Sequence, residues 1–305
     1  MRDVAVISSA FVHEPRAVGD EVELIESVVS KALAGCGVAK ERIGFVCSGS
    51  ADLLIGRPFS FVQGLDGIPA WPPIRESHVE MDGAWALYEA WMRLQLGDVD
   101  AALVYAFGRP SAGNLADVSV LQLDPYTVTP LWPDADSLAN LQASVMRAPG
   151  SKPHPIFDGA AAVVLAVGDL ARESCAKPAW ITGLDHRTEA HALGVRRLGV
   201  SESTESAARH AWVATRAIGT AHLTASHSHA TALLTAALLR AGLSPNAQVS
   251  TPPYTPMVSG LANIARAAQD VSSGRAIASL GHATSGACMQ HNLICVVDAN
   301  VGMLS

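Results

Sequence analysis

The chain has 305 residues, enough to bury a sizeable core as two modest domains or one large layered unit. Apolar residues make up 49% and charged residues 16%, which fits a closely packed α/β protein and argues against a disordered or coiled-coil chain. A formal charge of −7 without any Lys/Arg cluster argues against nucleic acid as a partner.

The five cysteines are odd in number and scattered without a CxxC pair, so a structural zinc or dithiol site is not expected, and a reducing cytoplasm fits best. The N-terminal apolar run carries Asp3 and is too short for a secretion signal, and no apolar run is long enough to span a bilayer. A soluble cytoplasmic protein is expected. The apolar excess exceeds what a lone monomer readily hides, which predicts an oligomer.

In chain order, "DVAVISS" (Asp3–Ser9) reads as a strand and "DEVELIESVVSKALAGCG" as a helix closed by glycine. "IGFVCSG" is a second strand. A helix over Glu80–Gln95 follows, with Asp82 in a favourable capping position and Ala84, Leu87, Tyr88, Trp91 and Leu94 at the spacing of one apolar face. "AALVYAF" is a third strand. From Arg109 to Phe157 the chain is rich in proline and shows no sustained period, and a loop this long predicts a cap over a site or an interface.

The rhythm then resumes with strand "DGAAAVVLAVGD" (Asp158–Asp169), strand "AWITGLDH", helix Ser203–Ile218, strand "AHLTAS", helices "HATALLTAALLRAGL" and "LANIARAAQDVSSG", and strands "RAIASLGHA" and "NLICVVDA". Two successive halves of similar order suggest a duplicated α/β/α unit, residues 1–172 and 173–305, with the irregular stretch of about 109–157 inside the first.

This order of motifs resembles the thiolase superfamily, in particular its sterol-carrier-protein-type thiolase-like (lipid-transfer) proteins. "HVEMDGAWALYEAWMRLQLGDVDAALVYAFGRPS" is similar to the family's nucleophile helix and following strand, "DGAAAVVLA" to the strand closing its first half, and "HATSGACMQHNLICVV" to its C-terminal loop and last strand. The resemblance spans nearly the whole chain and implies the five-layered αβαβα thiolase fold with a reduced loop domain, and a dimer of like or unlike thiolase-like chains. It departs from the family at the chemistry. With Gly83 matched to the family's glycine, the nucleophilic cysteine's place falls at Glu80, and no cysteine occurs between Cys47 and Cys175. The family's "GHP" is replaced by "STPPYTPMVSGL", with Tyr254 and Thr255 near the histidine's place.

Some cysteine-less relatives are retro-aldolases that shorten steroid or other branched side chains on coenzyme A, together with an oligosaccharide-binding-fold partner of the DUF35 family. The resemblance therefore implies a carbon–carbon lyase subunit acting on a bulky β-hydroxyacyl-CoA, with coenzyme A as part of the substrate and no other cofactor or metal. A non-catalytic subunit supporting a catalytic homologue, or docking a DUF35-type partner, is the rival.

Such chemistry needs a proton relay and donors for the enolate oxygen, but no nucleophile. Tyr254 is the first candidate relay, against a loop tyrosine packed beside prolines. His227 and His229, in "ASHSHAT" near the family's "HD/NE" loop, could donate to a thioester oxygen or help cap a helix; at i, i+2 they do not share a helical face as a metal pair would. His282 is the acid/base candidate of "GHATSGACMQHN", against a structural hydrogen-bonding role. In that small, polar loop Ser285 and Gly286 let backbone amides approach a ligand, and Cys288 lies within a couple of positions of the family's second cysteine, more simply a buried inert thiol. Glu80 and Met81 would line the vacated nucleophile place, Glu80 more simply as a polar residue tied to the helix end.

Overall fold

The computed structural model describes residues 1–69 and 75–301. Its strands form one ten-stranded sheet in the order β3-β2-β4-β5-β1-β6-β10-β9-β7-β8. The first half contributes β1 (Val4–Glu14), β2 (Phe45–Gly49), β3 (Glu76–Val79), β4 (Ala101–Gly108) and β5 (Asp158–Val167). The second contributes β6 (Ala179–Thr188), β7 (Ile218–His222), β8 (Gln248–Ser250), β9 (Ala278–Ser285) and β10 (His291–Asp298). Read from its outer edge, each half has the same order and the same strand directions: β2 lies parallel to β3 and β4 as β7 does to β8 and β9, and the remaining pairs are antiparallel. Among the described residues, the two half-sheets pair only where Ala5 and Val6 meet Trp180 and Ala179. β1 and β6 overlap only at their starts and run on from there in opposite directions.

Two helices fill the layer between the halves. Helix α3 (Gly83–Leu96) begins after Asp82, whose extended backbone (φ −56°, ψ 145°) makes it the cap, and ends at Gly97 in the left-handed region (φ +80°). Helix α9 (Ser259–Ser272) is buried almost throughout, its alanines letting it lie close to both half-sheets. With Val104, Val163, Leu165, Leu293 and Val297 these helices form the central core, where each fully buried Leu or Val is worth about 1.5–3 kcal/mol relative to exposure. Helices α1 (Glu21–Ala34) and α6 (Gly168–Ser174) cover the outer face of the first half, and α7 (Glu202–His210) and α8 (Ser228–Arg240) that of the second.

Several elements differ from the sequence reading. The first strand runs on to Glu14 because Ser8–Glu14 continue pairing with β5 past a bulge. The helix expected from Glu80 starts at Gly83, and that expected over Ser203–Ile218 ends at His210, so that Ile218 opens β7. The short parallel edge strands β3 and β8 carry too few residues to show a period. The irregular stretch 109–157 holds α4 (Leu115–Leu121) and α5 (Ala135–Val145), each opened by a capping side chain, Asn114 and Asp134. α2 (Ser60–Gly64) is a single turn.

Among the described residues, no helix is long and apolar enough to cross a membrane.

Candidate functional site

The N-termini of α3 and α9 meet at one carboxylate. Asp82 is buried and accepts N–H hydrogen bonds from Ala84 (2.9 Å), Gly260 (2.9 Å) and Leu261 (3.0 Å), so a single side chain caps two helices. A Cβ on Gly260 would lie 2.4 Å from Asp82 Oδ1, and one on Gly83 would lie 2.4 Å from the Ala106 Cβ. Only glycine permits this approach. Burial pushes the Asp82 carboxyl up to about 6, against the pull of its three backbone donors.

Tyr254 lies beside this junction. Its carbonyl accepts from the Phe157 N–H (2.9 Å), which fixes the segment leading into α9 against the start of β5. Burial, then the Asp82 charge, push the phenol up to about 12, so it holds its proton at neutral pH. The next residue, Thr255, is fully buried; its N–H donates to Ser259 Oγ (2.8 Å), and its hydroxyl pairs with His13 Nδ1 (2.9 Å).

His13 is a site neighbour that the sequence reading missed. Before the bulge, Val4 and Val6 face the central layer; after it, Ser9, Phe11 and His13 do. The bulge inverts the alternation from which strand faces are read. Desolvation, then the Arg266 charge, lower His13 to about 4, which keeps the imidazole neutral.

Glu80 does not sit on the helix end. It is half-exposed and turned to the Asp52 N–H and to His78 Nε2 (3.1 Å), while Asp82 holds the position where the helix field is strongest. Met81 packs against the central core.

His282 is wholly buried with both ring nitrogens engaged: the Thr224 N–H donates to Nδ1 (3.3 Å), and Nε2–H donates to Asn292 Oδ1 (3.0 Å). Burial lowers it to about 4. It orders β9 against β10 and presents no free nitrogen to a ligand. Asn292 in turn donates to Ser203 Oγ (2.7 Å) and the Met289 carbonyl (2.8 Å).

His227 and His229 face α5. His227 Nε2 donates to Asp136 Oδ1 (2.9 Å), and its Nδ1 pairs with Ser226 Oγ (3.0 Å). His229 Nδ1 pairs with Ser151 Oγ (2.6 Å), and its Nε2–H donates to Gln142 Oε1 (2.9 Å). The same Gln142 donates to the Cys288 carbonyl (3.4 Å). The stretch 109–157 is thus tied down over both the start of α8 and the hairpin between β9 and β10.

In that hairpin Ser285 ends β9, Gly286 is left-handed (φ +77°), and so are two non-glycine residues, Cys288 (φ +50°) and Met289 (φ +55°). A buried arginine holds this strained turn: Arg196 donates to the Ala287 (2.9 Å) and Cys288 (2.8 Å) carbonyls and pairs with Glu189 (3.2 Å). Burial raises the Cys288 thiol, and it raises Cys47 and Cys295 to about 12, so these thiols stay protonated at neutral pH. Nothing in the spacing of Arg196 and Glu189 marked them.

Of the sequence-predicted residues, the fold brings Tyr254 to Asp82 and Met81 beneath the central helices. It gathers His227, His229 and Cys288 separately around α5. Among the described residues no group of three His, Cys, Asp or Glu side chains could hold a metal ion. A surface cavity of about 580 Å³ lined by Arg2, Asp3, Asp100, Val167 and Asp169 lies at the other end of β1, remote from both clusters.

No protein-family model and no curated protein matches the sequence. Solved structures do match. Human mitochondrial 3-ketoacyl-CoA thiolase in complex with CoA superposes with a TM-score of 0.70 at 12% identity, covering 98% of this chain and 98% of that chain. A second structure of the human enzyme gives 0.66 at 12% identity, covering 98% and 99%. A monomeric SCP2-thiolase like protein type 1 from Mycobacterium smegmatis gives 0.65 at 14% identity, covering 98% of this chain and 77% of that one. At such identities the likeness is one of fold, and the repeated half-sheets with paired central helices are its physical content. The chain has the α/β thiolase fold.

Proposed function

We propose that this chain is the thiolase-like subunit of a carbon–carbon lyase that cleaves a bulky β-hydroxyacyl-CoA by retro-aldol chemistry. The observation that supports it is the Tyr254 phenol beside the Asp82 carboxylate, where the two central helices meet and no cysteine is present. CoA is bound by one structural neighbour, the human 3-ketoacyl-CoA thiolase.

A tertiary β-hydroxyl cannot be oxidised to a ketone, so the Cα–Cβ bond must break directly. The hydroxyl O–H electron pair becomes the ketone C=O, and the Cα–Cβ pair passes to the thioester enolate. The protonated Tyr254 donates its proton to Cα while the hydroxyl proton returns to its oxygen, and the tyrosine is regenerated. The Asp82 charge holds the phenol in its donor form. His282 then serves by positioning β9 and β10, and His227 and His229 by docking the stretch 109–157. The protein would work in the cytoplasm as a dimer with itself or another thiolase-like chain, with a DUF35-type partner.

One observation favours the rival, a non-catalytic subunit supporting a catalytic homologue. Asp82 already occupies N–H donors of both helices, which would otherwise polarise a thioester oxygen. The purified protein, alone and with its partner, is incubated with a tertiary β-hydroxyacyl-CoA, and ketone release is measured. Ketone formation that Tyr254→Phe lowers by about 100-fold is expected. No ketone in any combination leaves the supporting subunit.

A further inference from the structure

Arg266 lies on the side of α9 that faces β1, and its guanidinium stacks 4.0 Å over the Phe11 ring. It is half-buried, its Nε is shut off from solvent without a partner, and among the described residues it makes neither a hydrogen bond nor an ion pair. Its acidic neighbour one turn on, Asp270, is already committed: Oδ1 to Arg275 (2.6 Å), and Oδ2 to His222 Nε2 (2.8 Å) and Thr220 Oγ1 (2.7 Å). On its other side stands His13, whose Nε2 is also buried without a partner.

A partly desolvated guanidinium with its Nε–H shut off from water and unused is costly unless something else completes it. Access exists from the side. Beyond Val6, β1 is paired to β5 alone, because β6 begins at Ala179 opposite Val6, and Ser8–Glu14 are all half-buried along that unpaired edge.

We propose that Arg266, with Phe11 and His13, binds an oxyanion, a carboxylate or phosphate group of an organic ligand lying along the unpaired edge of β1. The guanidinium fork matches two oxygens of either group, and the Phe11 ring keeps the fork in plane. The site stands whether or not the chain cleaves a thioester.

The test titrates the whole protein with benzoate and with inorganic phosphate, against chloride at matched ionic strength, and follows Tm. One or both anions should raise Tm saturably, by about 5 °C at a hundredfold excess over Kd. Response to benzoate alone assigns a carboxylate ligand, response to phosphate alone a phosphorylated one. Arg266→Met should abolish the response and, by removing a cation that burial disfavours more than the Asp270 charge favours, raise the anion-free Tm by about 2 °C. On the unmutated protein, phenylglyoxal modification of Arg266, read by mass spectrometry, should be slowed at least about tenfold by the active anion. The proposal is overturned if neither anion moves Tm beyond the chloride control, if Arg266→Met responds as the parent does, or if no anion protects Arg266.

Discussion

The Asp82 carboxylate and the Gly260 N–H, 178 residues apart in the chain, are joined by a 2.9 Å hydrogen bond that fastens the two central helices end to end. Asp82→Asn keeps the shape but loses the charge and sets an amide NH2 against backbone donors. It should cost about 2 kcal/mol in urea-induced unfolding, the range for stranding a buried donor. A variant as stable as the parent would mean that the helices are held by packing alone.

Titration of His282, His13 and Asp82 contributes to the pH dependence in opposing senses. His282 and His13 are lowered to about 4 in the folded chain, so from pH 6.5 down to about 4 the unfolded state binds more protons and stability is lost on acidification. The loss is about 3 kcal/mol for the fully buried His282 and less for His13. Asp82, raised to about 6, acts in the opposite sense: its contribution is present below about pH 4 and is lost as pH rises through 6, again by about 3 kcal/mol. His222, His229 and His291 are lowered as well and act in the same sense as His282, so the parent should lose stability between pH 6.5 and 4 by about 3 kcal/mol less than Asp82→Asn. Equal slopes in the two proteins would contradict these assignments.

Arg196 holds the turn that contains two left-handed non-glycine residues, and it is almost wholly buried with Glu189 as its counter-charge. Arg196→Ala leaves Glu189 without its counter-charge, the Ala287 carbonyl without a donor, and the Cys288 carbonyl with the long Gln142 bond alone. A loss of about 3–5 kcal/mol in denaturant unfolding is expected. Hydrogen exchange should rise first at Ala287–Met289; unchanged protection there would show that the turn is rigid without its arginine.

The Cys288 thiol is raised by burial, only partly countered by Arg196. Iodoacetamide at pH 7.5 should alkylate it at least about tenfold more slowly than free glutathione, as followed by peptide mass spectrometry. Labelling at the glutathione rate would mark a thiolate and reopen covalent chemistry at this hairpin.

Much of the fold is legible in the residues. The alternation of β-branched runs with 3.6-period helices, Asp82 as the cap of α3, and the repeated order of elements all survive in the structure. The edge strands β3 and β8 were not readable, because their four and three residues carry no period of their own. The helices within 109–157 escaped because prolines mask short segments whose caps, Asn114 and Asp134, look like ordinary loop residues.

The candidate site was legible in part. Tyr254 is singled out by the resemblance, as the phenol near the place of the family's histidine, and the lack of a cysteine before α3 can be read directly from the residues. That Glu80 turns outward to Asp52 and His78, or that His227 and His229 spend their nitrogens on Asp136, Gln142 and Ser151, could not.

The sequence by itself determined which faces of which segments are apolar, where α3 is capped, and that no thiol precedes it, because periodicity and capping depend on residues within a few positions of one another. The tertiary structure alone decided that Asp82 reaches α9, that a bulge in β1 turns Phe11 and His13 toward Arg266, and that α5 covers the two histidines. Those meetings depend on which strand edges pair and how closely glycine and alanine let helices approach, and contacts between residues more than eighty positions apart leave no local period to read.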